Sequence, residues 1–244
     1  MRLQKFLAMQ TVNSRRKAED LIASGAVAIN GQVAHLGMCV NPMADSVSVN
    51  GATISNAPAM RRNHPLVLLM NKPRGYVCSH ADKYNAETIF SLIPKEFCGK
   101  KLMFCGRLDK ETEGMVIITD DGDFAQRITH PSCGVKKHYQ VALSSPLPDK
   151  VARHLLRGID SDGEFLKFDR IVAIGRGNMK NLVFEVVLSQ GKKNEIHRAL
   201  AHFGIFVKKL KRTRMGGLRL RGVATGRCRR LTEDEMEALL CEKI

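Results

Sequence analysis

The feature that most constrains this chain is a short acidic loop, bracketed by glycines, that runs directly into an apolar strand. Gly106 and Gly114 can adopt backbone angles that other residues avoid, so the segment between them is predicted to be a tight loop. Residues 115–119 are apolar and largely β-branched and predict a buried strand, with a turn beyond it at Asp121-Gly122. On such an anchored loop the carboxylate of Asp109 can serve as a nucleophile or base, although a lone aspartate there can also simply cap a turn.

The full motif reads Gly-Arg-Leu-Asp-x-x-Thr-x-Gly over residues 106–114 and resembles the signature of RsuA-type pseudouridine synthases, which act on ribosomal RNA. The resemblance implies that Asp109 is the catalytic residue. It implies that Arg107 contacts RNA, by holding a phosphate or by filling the gap left by a flipped nucleotide. It also implies an α+β fold whose synthase domain has a mixed, mostly antiparallel sheet and a central cleft.

Positive charge is concentrated in one part of the chain. Lys and Arg number 39 against 24 acidic residues, which gives a formal net charge of +15. Residues 191–230 alone contain 13 Lys or Arg and one acid, Glu195. Such a focused excess indicates a polyanionic partner, and RNA is the partner we expect. Glycines interrupt this stretch, and no apolar run approaches the roughly 18 residues of a membrane span, so no membrane partner is predicted.

The spacing of the cysteines and the motifs of the chain limit which disulfides, metal sites and cofactors are expected. The seven cysteines are scattered and show no Cys-x-x-Cys spacing, which predicts free thiols in a reducing cytoplasm and neither a disulfide framework nor a metal site. The N-terminus lacks the apolar core of a signal peptide. No phosphate-binding loop or dinucleotide fingerprint is present, so no cofactor is predicted. We expect a monomer.

Residues 1–54 form a predicted unit of two helices followed by short strands. Ser14 is positioned to cap the second helix, and Asn30-Gly31 and Asn50-Gly51 are type I′ hairpin signals. The pattern resembles an S4 RNA-binding domain, and that resemblance implies that Arg15, Arg16 and Lys17 face RNA. Residues 55–65 are predicted to be a linker and residues 66–244 the synthase domain.

Two further segments of the synthase domain match the RsuA-type pattern. An apolar strand ends in Asn71-Lys72-Pro73-Arg74-Gly75, which resembles the Asn-Lys-Pro-x-Gly motif and implies structural support beneath the active site. Lys137-His138-Tyr139 resembles a Lys-x-Tyr motif at the start of a strand. It implies that Lys137 contacts RNA and that Tyr139 lies against the target base and acts as a general base, although a tyrosine there can also be simple half-buried packing.

The last matching segment, residues 190–200, opens a predicted helix and departs from the family pattern. Asn194 and Glu195 replace the usual pair, and His197 stands where an Arg or Lys usually pairs with the catalytic aspartate. Asp109 beside His197 would raise the histidine pKa, so we expect a cationic His197, with Arg198 as the other candidate partner. The resemblance also implies that Lys192 and Arg198 contact RNA.

The reaction these segments imply is isomerisation of uridine to pseudouridine in structured RNA, with ribosomal RNA as the expected substrate. The departures around His197 favour an alternative, a catalytically degenerate RNA-binding factor in ribosome assembly. A third interpretation, an S4-linked translation or stress factor, explains residues 1–54 and leaves residues 66–244 without a role. The target uridine, the choice among small-subunit, large-subunit and transfer RNA, and the choice between free RNA and an assembly intermediate stay open at this point.

Overall fold

The computed structural model consists of two compact units, Met1–His64 and Pro65–Ile244. It describes most of the chain, in five ranges: residues 1–11, 14–54, 65–80, 87–97 and 99–241. All of the predicted linker except Pro65 lies outside these described residues. None of the helices in the described ranges is long and apolar enough to cross a membrane.

The N-terminal unit packs two helices against a small antiparallel sheet. Its elements are α1 (Leu3–Gln10), α2 (Arg15–Ala23), β1 (Val27–Ile29), β2 (Gln32–Val33), β3 (Val47–Val49) and β4 (Ala52–Ile54). The sheet order is β2-β1-β3-β4. Leu3, Phe6 and Leu7 form the buried stripe of α1 and pack with Ile22 and Val27 in one core. This arrangement buries the apolar positions that the helical and alternating patterns predict.

The helix cap and the two hairpin turns predicted for the N-terminal unit are observed. The Ser14 hydroxyl accepts a hydrogen bond from the Lys17 amide at 3.2 Å and caps α2. Asn30 and Asn50 both have a positive φ, 51° and 50°, and each is followed by a glycine with positive φ. Such a pair closes a two-residue hairpin whose twist matches that of its strands.

The C-terminal unit contains four helices and eleven strands within the described residues. The helices are α3 (Gly122–Thr129), α4 (Asp149–Arg157), α5 (Glu195–Ala201) and α6 (Glu233–Leu240). The strands are β5 (Val67–Lys72), β6 (Met103–Cys105), β7 (Glu113–Thr119), β8 (Lys137–Leu143), β9 (Ile159–Ser161), β10 (Glu164–Leu166), β11 (Arg170–Ala173), β12 (Val183–Leu188), β13 (Val207–Met215), β14 (Leu218–Arg219) and β15 (Cys228–Arg230).

One mixed sheet organises this unit. Its order is β11-β12-β8-β13-β7-β5-β15, with β14 paired to β13 and β6 paired to β7. Every pairing is antiparallel except that between β13 and β7, which is parallel. β9 and β10 form a separate hairpin. The predicted α+β fold with a mixed, mostly antiparallel sheet is therefore confirmed.

The central strands are buried on both faces. In β5, Leu68 and Met70 belong to one core, while Val67 and Leu69 belong to a second core on the opposite face, with Phe124 of α3. A strand covered on both faces has no polar side to alternate with its apolar one. This burial explains why β5 reads as a continuous apolar run.

The predicted turn at Asp121-Gly122 is wrong, because these residues begin α3. The Asp121 carboxylate accepts hydrogen bonds from the amides of Asp123 at 2.8 Å and Phe124 at 3.1 Å. Aspartate is favoured both in turns and at helix N-caps. The apolar residues that follow, Phe124 and Ile128, are four positions apart and both buried, which selects the helix.

Gly114 allows two strands to approach each other closely. It has a φ of +105°, and a Cβ added there would lie 2.2 Å from the Arg212 carbonyl oxygen. Arg212 is the register partner of Gly114 on one side of β13 and of Tyr139 on the other. The end of the Asp109 loop and the tyrosine of β8 are thus brought to the two sides of one residue.

We expect Gly114→Ala to lower the free energy of unfolding by about 3 kcal/mol or more, because the added methyl group overlaps backbone atoms. Gly134→Ala is the matched control. Gly134 also has a positive φ, 65°, but no described atom lies within 4 Å of its added Cβ, so only backbone strain of about 1–2 kcal/mol is expected. Urea unfolding of both variants checks this, and equal losses would contradict the role assigned to the contact.

Candidate active site

A cleft of about 180 Å³ opens where four segments of the C-terminal unit meet. The cleft is lined by the Asp109 loop, the start of β8, the middle of β13 and the segment that leads into α5. The polar residues that line it include Arg107, Asp109, Thr112, Lys137, Tyr139, Lys192, Asn194, Glu195, His197 and Arg212. The structure therefore brings together most of the residues predicted from the separate motifs.

The Asp109 loop is anchored at its buried residues and leaves its carboxylate exposed. Leu108 is buried, and its amide donates to the Cys78 sulfur at 3.5 Å. The backbone of the loop turns at Asp109, whose carbonyl oxygen accepts from the Thr112 amide at 3.0 Å. The Asp109 side chain itself is solvent-exposed and lines the cleft.

Lys72 holds the far end of the same loop from beneath. Its side chain is fully buried, and its ammonium group donates to the carbonyl oxygens of Pro73 at 3.0 Å, Lys110 at 3.1 Å and Thr112 at 2.7 Å. Burial lowers the pKa of this lysine. Two of the three carbonyls belong to the loop, so the Asn-Lys-Pro-x-Gly segment supports the loop as expected.

Tyr139 belongs both to the core and to the cleft. Only 8% of its surface is exposed, and it packs in the larger core of the C-terminal unit. It also lines the cleft from β8. Packing in the core and a role beside the target nucleobase are therefore compatible for this tyrosine, because a ring that the core holds rigidly offers a fixed surface for a nucleobase.

Asn194 contacts Asp109 directly, and sequence reasoning did not single it out as a site residue. With its amide nitrogen facing the loop, Asn194 donates to Asp109 Oδ2 at 2.6 Å and to Oδ1 at 3.2 Å. Asn194 immediately precedes α5 and has a positive φ of 51°. The sequence shows that Asn194 departs from the usual family residue. Its contact with Asp109 could not be deduced from the sequence, because that contact depends on the backbone conformation at this position.

His197 lies in the cleft, but the expectation that it is cationic is wrong. It is half-buried, and this burial lowers the pKa of the imidazole by more than the nearby Asp109 carboxylate raises it. Desolvation disfavours the charged form of a histidine. His197 is therefore neutral at pH 7.

Arg198 does not pair with Asp109, so the other candidate partner is also wrong. Its guanidinium reaches the β9–β10 hairpin, where it donates to the Ser161 carbonyl oxygen at 2.7 Å and forms an ion pair with Glu164. Consecutive residues of a helix point in different directions. With His197 directed into the cleft, Arg198 joins α5 to the hairpin instead. Within the described residues, no lysine or arginine forms an ion pair with Asp109.

Two buried charged residues line the cleft. Arg212 is 1% exposed, and its Nε donates to the Met115 carbonyl oxygen at 2.7 Å. Burial raises the pKa of Glu195, whose Oε2 accepts from the Lys192 amide at 3.1 Å. Arg212 Nη2 and Glu195 Oε1 have no partner among the described residues. Arg212 was counted only as one of many basic residues in the sequence, because its burial depends on strand pairing.

The predicted RNA contacts fall into different environments. Arg107 is exposed at the cleft. Lys137 is partly buried and donates to three carbonyl oxygens, those of Val135, Ser189 and Gln190. The Lys192 ammonium donates to the Phe165 carbonyl oxygen at 2.6 Å. The two lysines therefore shape the walls of the cleft, whereas the Arg107 guanidinium is the more accessible to a phosphate.

Outside the cleft, the N-terminal unit carries the other predicted RNA contacts. Arg15, Arg16 and Lys17 are all exposed in the first turn of α2. In the described ranges, no group of three or more His, Cys, Asp or Glu residues could hold a metal ion, and the six cysteines there are free thiols.

Comparison with known proteins agrees with both units. Residues 66–202 match the RNA pseudouridylate synthase family and residues 1–45 match the S4 domain. The chain belongs to the RNA pseudouridine synthase family. The predicted enzyme class and the resemblance to S4-containing synthases are thereby confirmed.

Individual relatives resemble the chain along its length. An uncharacterized RNA pseudouridine synthase of Aquifex aeolicus is 35% identical, over 98% of this chain and 93% of its own length. Ribosomal large subunit pseudouridine synthase B of Pseudomonas aeruginosa is also 35% identical, over 98% of this chain and 61% of its own length. The enzyme of that name from Xanthomonas campestris is 34% identical, and the match covers only 49% of it.

A solved structure supports the same fold assignment. The crystal structure of a pseudouridylate synthase has a TM-score of 0.69 to this chain at 29% sequence identity, covering 98% of this chain and 99% of that one. That solved structure therefore shares its fold with both units of this chain.

The lowered pKa of His197 predicts how pH affects stability. Between its folded pKa and its ordinary value of 6.5, the unfolded chain binds the extra proton. The contribution of neutral His197 to the free energy of unfolding is therefore fully present above pH 6.5, and it is lost as the pH falls toward the folded pKa. We expect the free energy of unfolding of wild type to decline relative to that of His197→Gln between pH 8 and pH 5.

Urea unfolding across this range measures the difference. His202→Gln, an exposed position just beyond α5, controls for the loss of one imidazole. A constant difference between wild type and His197→Gln at all pH values would contradict the burial effect.

Proposed function

We propose that this chain isomerises uridine to pseudouridine in ribosomal RNA, with Asp109 as the catalytic residue. The observation that carries the proposal is the exposed Asp109 carboxylate, held by an anchored loop at the mouth of a cleft that Tyr139 lines from a rigid strand. The names of the ribosomal large subunit relatives favour large-subunit RNA as the first substrate to test.

The reaction needs the target base to leave its stack, because the glycosidic carbon is inaccessible in a paired helix. Asp109 then attacks or deprotonates the sugar, and the bond between N1 and C1′ breaks. The uracil turns and rejoins through C5, so that C5 loses a proton and N1 gains one. Tyr139 supports the ring and takes the C5 proton. These steps need no redox partner or external group donor.

Arg107 is the side chain best suited to hold the flipped nucleotide. It is exposed, lines the cleft and lies two residues before Asp109. A guanidinium can bind phosphate with two parallel hydrogen bonds. The exposed basic residues of α2 supply additional contacts to the RNA backbone. A monomeric state and a cytoplasmic location stay predictions from the sequence.

The first test is release of tritium from RNA labelled with 5-³H-uridine, supplied as free ribosomal RNA and as subunit particles. Wild type is expected to release tritium, and Asp109→Asn to reduce the rate by about a thousandfold or more, because the amide is a poor nucleophile and base. Glu111→Gln is the matched control. It removes one carboxylate from the same loop, but one that pairs with Arg74 rather than lining the cleft.

The same experiment distinguishes the proposed isomerisation from the alternative function, a degenerate RNA-binding assembly factor. The neutral state of His197 and the outward direction of Arg198 favour that alternative, since Asp109 then lacks the usual cation. A degenerate binder would hold RNA equally well as wild type and as Asp109→Ala, and neither would release tritium from any RNA. That result would overturn the proposed isomerisation.

A second prediction concerns the N-terminal unit. We expect the triple substitution Arg15→Ala, Arg16→Ala and Lys17→Ala to weaken RNA binding and to lower the slope of log Kd against log salt by up to about 3, because up to three phosphate contacts disappear. The rate at saturating RNA should stay within about twofold, since these residues do not line the cleft.

Lys95→Ala with Lys100→Ala controls for the loss of exposed positive charge in the C-terminal unit. The salt dependence of binding, measured by filter retention or anisotropy, distinguishes the two sets. An unchanged Kd and slope for the triple variant would contradict an RNA-binding role for α2.

A further inference from the structure

We propose that Asn194 is the positioning residue for Asp109, a role in which a neutral side-chain amide replaces the cation that such a carboxylate usually receives. The inference rests on the proposed function of Asp109 and identifies how this chain orients that carboxylate. It concerns the position in the active-site segment where the sequence departs from its family.

The contact geometry carries the inference. With the amide nitrogen turned toward the loop, the orientation in which a donor rather than an acceptor meets the carboxylate, this group lies 2.6 Å from Asp109 Oδ2 and 3.2 Å from Oδ1 and contacts both oxygens. The opposite amide orientation would place an oxygen acceptor against those two acceptors. A donor shared between both oxygens fixes the plane of the carboxylate as well as its position.

The backbone leaves the Asn194 side chain available for this contact. An asparagine preceding a helix commonly caps it by accepting from the first free amides. The Asn194 carbonyl oxygen accepts from the Arg198 amide at 2.9 Å as the first bond of α5, so the backbone begins the helix while the side-chain nitrogen contacts Asp109. The φ of 51° and ψ of 30° at Asn194 are left-handed, a conformation that asparagine tolerates better than most residues.

The candidate cations are otherwise engaged. Burial keeps His197 neutral at pH 7, Arg198 is bound to the β9–β10 hairpin, and Lys72 donates to three carbonyls below the loop. A neutral amide orients a carboxylate without compensating its charge, and its hydrogen bond is weaker than that of a guanidinium. The Asn194 amide therefore sets the direction of the Asp109 carboxylate without forming an ion pair with it.

Two substitutions that tolerate a left-handed backbone test the role by kinetics. Asn194→Gly removes the amide, and Asn194→Asp replaces it with a second carboxylate of the same size. Misplacing a catalytic group costs on the order of a hundredfold. We expect kcat for tritium release to fall about 10–100-fold in both variants, with KM for RNA changing less than about threefold.

Asn181→Asp, an exposed change outside the cleft lining, controls for the added charge. Folded variants of Asn194 with unchanged kcat would overturn the inference. A purely structural role would instead lower thermal stability and active fraction without altering kcat per folded molecule.

Rescue provides a sharper test. His197→Arg introduced into Asn194→Gly restores a guanidinium, whose paired donors can orient a carboxylate in the amide's place. We expect this double variant to recover kcat by at least about tenfold over Asn194→Gly. Recovery would show that carboxylate orientation was the property lost, and no recovery would count against the inference.

A measurement without catalysis separates this inference from the proposed function. The side-chain amide resonances of Asn194, assigned by their disappearance in Asn194→Gly, should move in Asp109→Ala and stay in place in Glu111→Gln. Resonances that do not move in Asp109→Ala would overturn the inference even in an active enzyme. If wild type releases no tritium but the resonances do move, the contact stands and the proposed function fails.

Discussion

The close backbone approach between β7 and β13 at Gly114 and Arg212 is the constraint on which the active site depends. A side chain at position 114 would occupy the space of the Arg212 carbonyl group, so the parallel pairing requires glycine there. The same β13 residue pairs with Tyr139 on its other side. This one residue of β13 therefore joins the strand that follows the Asp109 loop to the strand that carries Tyr139.

Several basic residues in and beside the cleft bind the backbone of the protein itself. Lys72, Lys137 and Arg212 are largely withdrawn from solvent and donate to backbone carbonyl oxygens. They hold segments of chain together and are not free to meet phosphates. The net charge of +15 therefore overstates the number of groups available to RNA.

The sequence predicted the parts of the fold that local chemistry determines. The Ser14 cap, the hairpins at Asn30 and Asn50 and the strand before Asp121 each follow from residues adjacent in the chain, and all are observed. The helix after Asp121 was mistaken for a turn because aspartate favours both. Motif resemblance pointed to Asp109 and Tyr139 and left the partner of Asp109 open between His197 and Arg198, whereas in the structure Asn194 makes the contact. The choice of partner depends on the desolvation of His197 and on the ion pair between Arg198 and Glu164, and neither can be deduced from the amino-acid sequence alone.

The bridge from Arg198 to the β9–β10 hairpin links two parts of the chain that share no motif. Glu164 and Ser161 hold the helix that begins beside Asn194 and carries His197. Substitutions at Glu164 and in residues 194–198 are therefore expected to covary among relatives. In a sufficiently large alignment, the positions that covary with the cleft residues would then include residues of a hairpin that does not line the cleft.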